Sequence, residues 1–77
     1  MQGSSEQFMI GGEAAVLAEK LAVLDEDPKA TVLDVQGSPR APTLIVIETE
    51  PGHIEQLKKR LGDGVIVEPD NPIEPLG

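Results

Sequence analysis

Few side chains in this sequence have the types and spacing to do chemistry. His53 is the single histidine, and the chain has no cysteine. Nucleophilic catalysis needs a hydroxyl or thiol beside a base, and acid–base catalysis needs a group whose pKa is tuned by its surroundings. His53 stands between Glu50 and Glu55 at the start of a predicted helix, where the expectation is a solvated ring. Asp25-Glu26-Asp27 is the densest acidic run. A calcium loop spaces its oxygen ligands on alternate positions around a glycine, so this run reads as a solvated helix end. Gly11-Gly12 follows an apolar run, but no third glycine and no Lys-Ser or Lys-Thr pair follows to complete a phosphate cradle. It is expected to be a turn. The residues therefore point away from an enzyme and call for no metal and no cofactor.

Composition narrows the partners. Six Lys and Arg against fourteen Asp and Glu leave a net charge of −8 over 77 residues, which repels phosphate backbones and anionic lipid surfaces. Phe8 is the lone aromatic, and the one basic cluster, Lys58-Lys59-Arg60, is short. Neither supports base stacking or a phosphate track. Nucleic acid and membrane are both expected to be absent as partners, and a neutral or positively charged protein surface is the natural target. No segment reaches the roughly 18 apolar residues of a membrane span, and the start of the chain lacks a signal-peptide pattern. Residues 1–5 (Met1 to Ser5) read as a flexible leader or tag scar ahead of a single domain spanning 6–70. A chain this short buries only about 60% of its unfolded surface, so the core is thin.

The elements follow from periodicity. Gln7 to Ile10 reads as a first strand. Glu13 to about Glu26 is rich in helix formers, with Val16, Leu17, Leu21 and Leu24 on one face, and Pro28 forbids continuation. Ala30 to Val35 is a second strand, and Gly37 to Pro42 is expected to be a loop. Thr43 to Thr49 is the most apolar and β-branched stretch, a central strand. A second helix opens around Pro51 and carries Ile54, Leu57 and Leu61; Lys58 to Arg60 suit its last turn and Gly62 its cap. Val65 to Glu68 is the last strand. The order strand, helix, strand, strand, helix, strand predicts an α+β fold of the ferredoxin-like split β-α-β type (βαββαβ): a four-stranded antiparallel sheet with both helices on one face. Residues 71–77 form an extended C-terminal tail with Pro72 and Pro75.

The stretch from Leu57 through Lys58-Lys59-Arg60-Leu61-Gly62-Asp63-Gly64 to Val65-Ile66-Val67-Glu68-Pro69-Asp70 resembles the propeptide family of subtilisin-like serine proteases, which includes stand-alone inhibitors. The likeness covers about residues 43–76 in motif and the remainder in topology. It implies a protease inhibitor, or an excised propeptide that also acts as an intramolecular chaperone, with a subtilisin-like serine protease as partner and the domain a monomer when free. By that resemblance the sheet docks on surface helices of the protease, and Glu68 and Asp70 cap the N-termini of those helices. The tail then enters the substrate cleft as an added strand, with Leu76 just before the cleaved bond, followed outward by Pro75, Glu74 and Ile73. Leu76 and Ile73 satisfy the family's preference for apolar residues at the first and fourth positions before the bond. Action on a secreted protease implies an extracellular setting. The rival expectation is a ferredoxin-like ligand-sensing or protein-interaction module with no protease role, since one fold serves many functions.

Overall fold

The computed structural model describes residues 5–38 and 40–70. Its elements are β1 (Glu6–Gly12), α1 (Ala14–Asp25), β2 (Ala30–Ser38), β3 (Ala41–Thr49), α2 (Ile54–Leu61) and β4 (Val65–Pro69). The strands form one four-stranded sheet in the order β2-β3-β1-β4, and every neighbouring pair is antiparallel. This is the ferredoxin-like α+β arrangement expected from the order of elements. β3, the most apolar strand, occupies an interior position, as its composition demands.

Strand alternation decides which residues meet the helices. Phe8 and Ile10 of β1 and Ile45 and Ile47 of β3 are buried and share one core with Leu17 and Leu24 of α1 and Ile54, Leu57 and Leu61 of α2. Val32, Val65 and Val67 border it. Burying an aliphatic side chain contributes about 1.5–3 kcal/mol, so these leucines and isoleucines carry most of the fold. The two helices thus cover one face of the sheet, and among the described residues no element packs on the other.

Helix ends are set locally. Glu13 precedes α1 without a side-chain cap, its carbonyl accepting from the Leu17 amide at 2.9 Å. α2 has Lys58, Lys59 and Arg60 in its last turn and ends at Gly62, whose φ of 79° lies in the region that favours glycine.

Two expectations are corrected. Gly11-Gly12 is not a turn: both residues stay in β1 and pair with Ile66 and Val65 of β4. A turn reading assumes that backbone freedom breaks a strand, whereas the ladder to β4 holds it. The expected loop over Gly37 to Pro42 is also corrected at both its ends, where Gly37-Ser38 belong to β2 and Ala41-Pro42 to β3. Gly37 pairs with Pro42 and Ser38 with Ala41, and the Ala41 amide donates to Ser38 Oγ at 3.1 Å. The glycine makes this possible, because Gly37 has a φ of 88° and a Cβ there would lie 2.8 Å from the Ala41 carbonyl. Register shifts on either side of Leu33 and next to Gly37 mark bulges. A bulge also tolerates Pro42, which has no amide to donate.

Candidate functional site

The uncovered face of the sheet is where the sequence-derived site residues collect. Register pairs resolve it into three rows running across the strands. The first holds Thr31 and Glu48, which pair, and Gln7, which pairs with Glu48. Asp70 extends this row past the end of β4: its amide donates to the Gln7 carbonyl at 2.8 Å, and Gln7 Nε2 donates to Asp70 Oδ2 at 3.0 Å. The second row runs Asp34, Val46, Met9, Glu68. The third runs Gln36 and Leu44 on one side and Gly11 and Ile66 on the other.

This grid has a direction. Carboxylates occupy the first row (Glu48, Asp70) and both edges of the second (Asp34, Glu68), while Val46 and Met9 fill the second row's middle and Leu44 and Ile66 the third. No lysine or arginine lies among these residues. One end of the face is acidic and the other apolar, with Ile66 65% exposed. Of the helix-capping candidates, Glu68 is exposed, and Asp70 is half-buried against Gln7. The other tail candidates, Ile73, Glu74, Pro75 and Leu76, lie outside the described residues.

A second cluster was not expected from the sequence. Asp27, read as part of a solvated acidic run, is 3% exposed, and His53, read as a solvated ring, has a side chain 9% exposed. They meet at 2.7 Å, His53 Nε2 to Asp27 Oδ2, and Arg60 Nη1 donates to the same oxygen at 3.2 Å. The Lys29 amide donates to Asp27 Oδ1 at 2.9 Å. Asp27 lies just beyond the end of α1, while His53 is the residue immediately before α2 and Arg60 stands seven positions on, in its last turn, two turns along one side of the helix. The carboxylate therefore clamps both ends of α2 to the turn that enters β2. Burial alone raises the Asp27 pKa; the His53 hydrogen bond, the Lys29 amide and the charges of His53 and Arg60 outweigh it and hold the carboxyl below its ordinary value of 3.8.

An Asp–His pair is also two-thirds of a nucleophilic triad. Here the carboxylate's other partners are Arg60 and a backbone amide, and the hydroxyls of Ser5 and Thr49 are engaged with Glu48 and the Glu50 carbonyl. The geometry is that of a structural clamp. Among the described residues no three His, Asp or Glu side chains gather as metal ligands.

In comparisons with known proteins, no protein family's model, no curated protein and no solved structure matches the chain.

Proposed function

We propose that the protein is a propeptide-like inhibitor of a subtilisin-like serine protease, with the open sheet face as its docking surface and the C-terminal tail as the segment that enters the substrate cleft. The observation that carries this reading is the polarised face: Glu68 and Asp70, the residues that the family resemblance assigns to helix capping, stand with Glu48 and Asp34 on a surface that has an apolar opposite end. A carboxylate meets unpaired N–H groups and a positive dipole end at an exposed helix N-terminus. Acids and apolar side chains on one face suit a partner that presents helices.

Size explains why a tail is needed. Four strands about 4.8 Å apart and three rows about 6.8 Å apart make a grid about 14 Å on each side, on the order of 400 Å² once side-chain margins are included. A standard interface takes about 800 Å² from each partner. The face alone supplies half, and a tethered strand supplies the remainder while the docked domain raises its local concentration. β4 is an edge strand ending beside β1, so the chain leaves the domain next to Glu68 and Asp70.

The test is a titration of a subtilisin-type protease with the intact protein, its Leu76→Asp variant and a form lacking residues 73–77. Inhibition by the intact protein, lost in both variants while each stays folded, is the expected result. No inhibition by the intact protein, or inhibition that survives the deletion unchanged, sinks the reading.

A further inference from the structure

Gly11 is out of place by the rules of strand composition. It lies in β1, an interior strand, where β-branched and aromatic residues are favoured and glycine weakens the sheet. Other glycines of the chain have a local reason. Gly12, Gly37, Gly52 and Gly62 have positive φ, and a Cβ on Gly12 would lie 3.1 Å from the Gly64 carbonyl. Gly11 has neither constraint: its φ is not positive, and the one heavy atom within 4 Å of an added Cβ is Leu44 Cδ1, at 4.0 Å. The fold accepts a side chain at this position.

What the missing side chain leaves is a slot in the apolar row. Its floor is the β1 backbone, its walls are Leu44 of β3 and the exposed Ile66 of β4, and Met9 stands two residues back along the same strand. Leu44 and Ile66 stand on the strands to either side of β1, about 9.6 Å apart at the backbone, which admits one side chain between them. Close approach of another group to the backbone is one of the reasons for a glycine in a strand, beside bulges and tight bends. The acidic row containing Glu48 and Asp70 lies about 14 Å away along the strands.

We infer that the Gly11 slot receives a single apolar side chain from a helix of the protein on which this face docks. The inference rests on the docking reading above and adds to it a specific subsite. Charge selects the occupant. A second copy would bring its own Asp34, Glu48, Glu68 and Asp70 against the same four carboxylates, whereas a helix laid along the strands with its N-terminus over the acidic row meets them favourably. At 1.5 Å per residue that helix places a residue about nine positions from its N-terminus over Gly11. The slot sets which side chain fits there.

Gly11→Ala and Gly11→Val separate this role from a folding role. Filling a strand glycine at a compatible backbone raises Tm by about 2 to 8 °C in a domain of this size. The same substitutions plug the slot, so the inhibition constant against a subtilisin-type protease weakens by about tenfold or more for Val and less for Ala. A more stable domain that inhibits less well is the expected outcome. Unchanged inhibition by Gly11→Val, with wild-type protein inhibiting, removes the slot and leaves the docking reading intact. Lower Tm in both variants returns the glycine to the fold and also overturns the inference. Self-association of the wild type that Gly11→Val abolishes gives the slot to a second copy instead. Absence of inhibition by the wild type removes the docking reading, and the slot's helix with it.

Discussion

Replacing Asp27 by Asn isolates the clamp that ties α2 to the remainder of the domain. The substitution keeps the volume and an oxygen for the Lys29 amide, but removes the charge shared by His53 and Arg60. A hydrogen bond to a charged group such as the Asp27 carboxylate contributes about 1.5–3 kcal/mol, and the His53 contact is nearly dry. Arg60 is 46% exposed, so its share falls in the range of a solvent-screened pair, about 0.2–1 kcal/mol. The expected loss is therefore about 2–4 kcal/mol, a large fraction of the stability of a domain this small. In urea unfolding followed by far-UV circular dichroism, the midpoint should fall with little change in slope. Paired with His53→Gln in a double-mutant cycle, Asp27→Asn should give a coupling of at least about 1 kcal/mol. A loss below about 0.5 kcal/mol, or strict additivity of the two changes, would refute the reasoning that Asp27 clamps α2.

The remaining predictions concern pH, the core, the hairpin and the docking face. Because the Asp27 carboxyl titrates below 3.8 in the folded state, its contribution is fully present above that value and is lost as pH falls through the lower, folded pKa. Acid unfolding of the wild type should accordingly be steeper below about pH 4 than that of Asp27→Asn. Leu57→Ala, which empties a fully buried position, should cost about 2–5 kcal/mol in the same urea experiment. Gly37→Ala should destabilise by more than about 1 kcal/mol, since the new Cβ would have to push the Ala41 carbonyl away at a strained φ. Glu68→Gln should leave Tm within about 2 °C of the wild type while weakening protease inhibition severalfold; equal inhibition would remove Glu68 from the interface.

The sequence and the structure agree where the signal is local and part where it is not. α2 was legible because its cap, its basic last turn and its apolar spacing all lie within a dozen residues of each other. β3 was legible from β-branched content alone. The Asp27–His53 contact spans 26 residues, and each partner carries a local pattern that reads as solvated: an acidic run for one, flanking glutamates for the other. A usable signal did exist, since an aspartate directly before Pro28 suits a turn in which its carboxylate takes the amide two residues on, as the Lys29 bond does. The hairpin was missed because Gly, Ser and two prolines read as loop, while pairing across a bulge is a property of two strands together. The rows of the open face likewise required the register. Alternation within each strand puts Glu48, Met9 and Glu68 on one side, but only the pairing aligns acids with acids.

The bulge at Leu33 has a consequence for how this protein behaves in crowded solution. A sheet edge beside an apolar patch is a template for strand-by-strand growth, and β2 is the longer of the two edge strands among the described residues, with Leu33 46% exposed on it. The register shift next to Leu33 interrupts the evenly spaced row of amides and carbonyls that an incoming strand needs. β4, at the opposite edge, is five residues long and ends in Pro69. Growth is thus blunted at both ends of the sheet by backbone geometry. The apolar side chains of Met9, Val46, Leu44 and Ile66 on the face between them are thereby flanked by strands whose geometry resists the addition of a further one.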